Sequence, residues 1–69
     1  MKLSARNQLR GVIVDVAKGA TTSHVVVELP GGQRILASIT NEAVDDLQLT
    51  RGDAAMAVIK ASDVMIAKE

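Results

Sequence analysis

The chain contains no cysteine, no phenylalanine, tyrosine or tryptophan, one histidine and one proline among 69 residues. Each absence removes a class of explanation. Without cysteine no disulfide can brace the fold, and His24 alone cannot build a zinc cage, so no metal directly coordinated by protein is expected. Without aromatic rings there is no stacking platform for single-stranded nucleic acid. Eight basic and eight acidic residues give a formal net charge of zero, so no broad field gathers a polyanion or an anionic membrane. Neither nucleic acid nor membrane is expected as a partner. Apolar runs last only a few residues, too short for a transmembrane span or a signal peptide. The lack of cysteine fits a cytoplasmic protein.

The hydrophobic share is 48%, ordinary for a folded protein, and the 69 residues are expected to form a single domain, 1–69. A chain below roughly 70–80 residues rarely obtains more than about 3–5 kcal/mol from its own core. Here that core consists of Val, Ile, Leu, Ala and Met, each burying less than an aromatic would. With disulfides and zinc excluded, self-association is the remaining route to stability.

The least generic stretch is Leu3-Ser4-Ala5-Arg6-Asn7-Gln8-Leu9-Arg10. With Lys2 it carries three cations and three neutral hydrogen-bond donors, and no acidic residue appears before Asp15. Every polar side chain in it can donate a hydrogen bond. In an extended conformation Ser4, Arg6, Gln8 and Arg10 share one side. Such a row suits an anion that accepts hydrogen bonds all round. A basic, polar arm leading into a first strand is the plain alternative.

Leu9–Ala17 reads as a strand, apolar on both faces at its centre, with Gly11 marking a bulge or a close backbone approach. After the Lys18–Ser23 loop, His24–Leu29 forms a second β-branched strand. Pro30-Gly31-Gly32 reads as a hairpin turn into a third strand, Gln33–Ile39. The period then changes. Thr40 is a plausible N-cap, Glu42 suits a first helical turn, and Ala43, Val44 and Leu47 fall on one face. Arg51-Gly52-Asp53 turns the chain into a fourth strand, Ala54–Lys60. Ala61-Ser62-Asp63 connects it to a short fifth strand, Val64–Ala67. Five strands with one short helix between strands 3 and 4 predict an all-β OB-fold, a five-stranded Greek-key barrel.

Met56 and Met65 sit among Val and Ile and read as core filler. His24 has no partner at catalytic spacing, and Asp45-Asp46 read as a solvated helix face. Pro30-Gly31-Gly32 lacks the helix and the Lys-Ser/Thr of a phosphate loop. No nucleophile has a base beside it, so an enzyme is not expected. Lys60 closes an otherwise apolar strand, either reaching for water or converging with Ser4, Arg6 and the Thr40 helix start on one anion.

Ser4-Ala5-Arg6-Asn7-Gln8-Leu9 followed by Gly11, the Lys18-Gly19 turn, Ile39-Thr40 and Val58-Ile59-Lys60-Ala61-Ser62-Asp63-Val64-Met65 closely resemble the molbindins, the small molybdate-binding Mop proteins. The resemblance runs through nearly the whole chain. It implies an OB-fold assembled as a homohexamer, a trimer of dimers, holding molybdate or tungstate between subunits for intracellular storage or homeostasis, with no organic cofactor. Carried over by position, Ser4 and Arg6 of one chain would meet Thr40, Lys60 and the Ala61 amide of another. Some relatives have Ser where this chain has Ala61, so any contact there must come from the backbone. The Lys18-Gly19-Ala20 turn is a candidate for the family's second type of site, on its three-fold axes.

The donor set carries its own selectivity. Molybdate at neutral pH is a dianion without a proton and can only accept hydrogen bonds. Hydrogen phosphate brings a proton that a pocket of Ser, Arg, Lys and amides leaves unpaired, costing on the order of 1–3 kcal/mol. Sulfate also lacks a proton, so only cavity size can separate it. The alternative from another class is a structural or interaction module that oligomerises without a small ligand.

Overall fold

The computed structural model describes residues 1–69 and contains four strands, one α-helix and a closing 3-10 turn. Strand β1 spans Asn7–Lys18, β2 Thr22–Glu28 and β3 Arg34–Thr40; helix α1 spans Asn41–Leu47, and strand β4 spans Ala54–Ile59. The sheet order is β3-β2-β1-β4, with every neighbouring pair antiparallel. The long β1 serves two partners. Its first half, Asn7–Val12, pairs with Ile59–Ala54, and its second half, Val12–Lys18, pairs with Glu28–Ser23.

A single strand can do this only by bending, and two local features allow the bend. Gly11 packs so tightly against β2 that a Cβ there would lie 2.4 Å from the Glu28 carbonyl oxygen and 2.7 Å from Val27 Cγ1. Three residues on, the register slips: Ile13 faces Val27 but Asp15 faces Val26, leaving Val14 as a bulge. The extra residue resets the alternation, so both Ile13 and Val16 turn inward opposite Val27 and Val25. The close approach expected at Gly11 is therefore present, and the bulge lies at Val14.

The buried core comprises Ile13, Val25, Val27 and Val44, ringed by half-buried Val16, Leu29, Ala37, Ile39, Leu49 and Ala55. Helix α1 covers one end. The Thr40 side chain accepts the Ala43 amide at 3.0 Å, as its N-cap position requires, and Val44 anchors the helix to the core. The chain leaves the helix through Gln48 in the left-handed region, φ 51°.

Three expectations are corrected. Val64–Ala67 is not a fifth strand, so the sheet has four strands rather than five. A strand exists only where an edge receives it, and this segment runs out with Met65 and Ile66 92% and 89% exposed. Met65, read as core filler, lies in that exposed tail and takes no part in the core. Finally, the N-terminal arm is not extended throughout. It bends at Ser4 and Arg6, and the Gln8 side chain donates to the Ala5 carbonyl at 2.9 Å.

Candidate oxyanion site

Two hollows can be set aside on chemistry. Between edge strands β3 and β4 runs an open cleft of about 680 Å³ lined only by hydrophobic residues, among them Ile35, Ile39, Met56 and Ile59. It offers no donor, and a dianion there would lose its hydration without compensation. A shallower recess of about 540 Å³ includes Arg10, but Glu28 lines it too and already binds Arg34 at 3.0 Å. A carboxylate beside the cation makes that recess a poor anion holder.

The predicted donors lie elsewhere. Asn7 faces Ile59 in the last pair of the β1–β4 ladder. Arg6 immediately precedes β1 and Lys60 immediately follows β4, so one chain starts both cationic side chains from the same end of that ladder. Both are exposed, and neither has a carboxylate partner; the chain's two ion pairs are Lys18–Asp45 and Arg34–Glu28. Ser4 precedes Arg6 on the same bent arm.

Immediately after Lys60 the chain winds into the 3-10 turn Ala61–Asp63. That turn is closed by the Asp63 amide to the Lys60 carbonyl at 2.9 Å and the Val64 amide to the Ala61 carbonyl at 3.3 Å. The Ala61 and Ser62 amides, the first of the turn, have no partner in the chain. Arg6, Lys60 and two free amides thus gather at one corner, with Ser4 on the adjoining arm.

Thr40 does not join them within one chain. It ends β3 opposite Thr22, beside the Lys18 end of β1, whereas Arg6 and Lys60 flank the Asn7 end. Its hydroxyl oxygen receives the Ala43 amide, which leaves its proton free to be donated.

Across residues 3–66 the chain matches the TOBE domain model. It is 46% identical over 66 residues to molybdenum-pterin-binding protein 3 of Clostridium pasteurianum, covering 96% of this chain and 97% of that one.

The chain belongs to the molbindin family.

The fold agrees. A molybdate-binding protein from Sporomusa ovata superposes on this molbindin with a TM-score of 0.93 at 34% identity, covering 99% of this chain and 100% of that one. The cytoplasmic molybdate-binding protein ModG, in a form with molybdate bound, matches with a TM-score of 0.91 at 45% identity. There 94% of this chain aligns with 46% of the larger one. The architecture is thus the OB-fold of the family, with four strands in the chain's own sheet.

Sequence reasoning passed over Asn41, read only as part of the helix start. It is a three-way junction: its amide reaches the Thr21 carbonyl at 2.9 Å, its Nδ2 the Gly19 carbonyl at 3.0 Å, and its Oδ1 receives the Ser23 hydroxyl at 2.5 Å. Its sole signal in the sequence was a polar amide directly after the capping threonine.

Proposed function

We propose that this molbindin binds molybdate or tungstate as an intact oxyanion, between copies of itself, for storage or homeostasis in the cytoplasm and without a catalytic step. The observation that carries the reading is the Arg6–Lys60 corner: two unpaired cations beside the free Ala61 and Ser62 amides, with no carboxylate paired to either cation. Arg6 and Lys60 supply charge, Ser4 and Thr40 directed hydroxyls, and Ala61 an amide. Every one of these groups donates, which suits a fully deprotonated tetrahedral dianion.

Thr40, at the opposite end of β1, reaches such an anion only from a second chain, which supports a site shared between subunits. The homohexamer, a trimer of dimers, is the assembly proposed, with each chain contributing one such domain. Its apolar surfaces support association: the cleft between β3 and β4 is uncovered, and Val64, Met65 and Ile66 stand in solvent. The molybdate and molybdenum-pterin names of its relatives support the choice of ligand.

Isothermal titration with molybdate tests the site. Arg6→Ala and Lys60→Ala are each expected to weaken binding at least about tenfold, the loss of one charge-assisted hydrogen bond at about 1.4 kcal/mol or more. Unchanged affinity in both variants refutes the assignment. Equilibrium dialysis against phosphate should show no competition at equal concentration. A chain that assembles but takes up no oxyanion would be a structural module instead.

A further inference from the structure

Thr40 can serve a shared oxyanion site only if its hydroxyl is held in one place; the β2–β3 ladder fixes it on the strand side, opposite Thr22, but the seven-residue helix that follows, held by one buried side chain, gives little rigidity of its own. The rigidity has another source. Asn41 ties the first residue of α1 to the β1–β2 loop at two points, the Thr21 and Gly19 carbonyls, and to strand β2 at a third, the Ser23 hydroxyl. Ser23 is wholly buried, and Asn41 is the partner that satisfies it. Gly19 is pinned from its other side by its own amide, which donates to the Thr22 carbonyl at 2.7 Å. The loop, the strand and the helix start therefore move as one piece. Thr40 sits at the joint, its hydroxyl oxygen engaged by Ala43 and its proton directed elsewhere.

We infer that Asn41 is a positioning residue for the oxyanion site, acting through Thr40. It contacts no ligand; it fixes the backbone from which the Thr40 hydroxyl is offered. The inference rests on the reading of Thr40 as an oxyanion donor. Geometry of this kind matters because a donor displaced by about 1 Å loses most of its advantage. The two side-chain bonds give a polar amide its role here: an apolar residue would strand the Ser23 hydroxyl without a partner.

A double-mutant cycle tests it. The Ser23→Ala/Asn41→Leu pair removes both side-chain bonds of Asn41 without leaving a buried orphan hydroxyl, and Ser23→Ala alone is the milder version should the pair fold poorly. Molybdate affinity is measured by titration in the parent and in a Thr40→Ala background, with assembly mass and Tm followed in parallel. With Thr40 present, the pair is expected to bind about fivefold more weakly, in the range of coupling between neighbouring groups. With Thr40→Ala, the same pair is expected to cost nothing further. An equal loss in both backgrounds, or none in either, overturns the inference while leaving molybdate binding in place. A parent chain that binds no molybdate, or a Thr40→Ala variant that binds normally, overturns the reading of the site itself and the inference with it.

Discussion

Replacing Met65 and Ile66 together by serine is expected to dissociate the proposed assembly. In a single chain these side chains are 92% and 89% exposed, so the substitution removes almost no contact that the monomer makes. If they are covered on association, each contributes about 1.5–3 kcal/mol of apolar burial. Losing both therefore costs roughly 3–6 kcal/mol per tail, or about a 100- to 20,000-fold weaker association for each tail engaged. The isolated chain has four buried hydrophobic residues, so a dissociated chain should also melt at lower temperature, with a Tm that rises with protein concentration in the parent. Sedimentation velocity at micromolar concentration gives the mass, and circular dichroism gives the Tm. A variant that sediments and melts like the parent would show that the tail lies outside the contacts between copies. The argument for mutual covering of apolar surface would then fall.

Two further substitutions test the fold itself. Gly11→Ala places a methyl 2.4 Å from a backbone oxygen that cannot step aside without breaking the β1–β2 ladder, so destabilisation of about 3 kcal/mol or more is expected in urea unfolding; a change below about 1 kcal/mol would show that the strands separate freely there. Gln48→Gly should stabilise by about 0.5–1 kcal/mol, because Gln48 holds φ 51° at the helix exit, where glycine has no Cβ penalty; a lower Tm would mean that the Gln48 side chain matters more than its backbone.

Local signals in the sequence located the elements well. The change of period after Ile39, with Thr40 as cap, marks α1, and Pro30-Gly31-Gly32 marks the β2–β3 turn, where both glycines have positive φ. What escaped was whatever depends on distant pairing. Val12–Val16 reads as unbroken alternation, and only the register against β2 shows that Val14 is extra. Val64–Ala67 has strand-like residues, yet strand formation needs a free edge within reach, which composition does not record. At the site, Arg6 and Lys60 are 54 positions apart, and the ladder alone makes them neighbours. Asn41 was overlooked for a related reason: its partners Gly19, Thr21 and Ser23 lie about twenty residues upstream.

The pairing of Asn7 with Ile59 has a consequence for synthesis on the ribosome. Of the four strands, β1 is made first and acquires its β4 neighbour last, and its Asn7 end stays unpaired until β4 has been translated. Contacts of such long sequence separation form late and slowly. The corner carrying both cations is therefore assembled only after β4 has been translated, so a product terminated before Ala54 would lack it altogether.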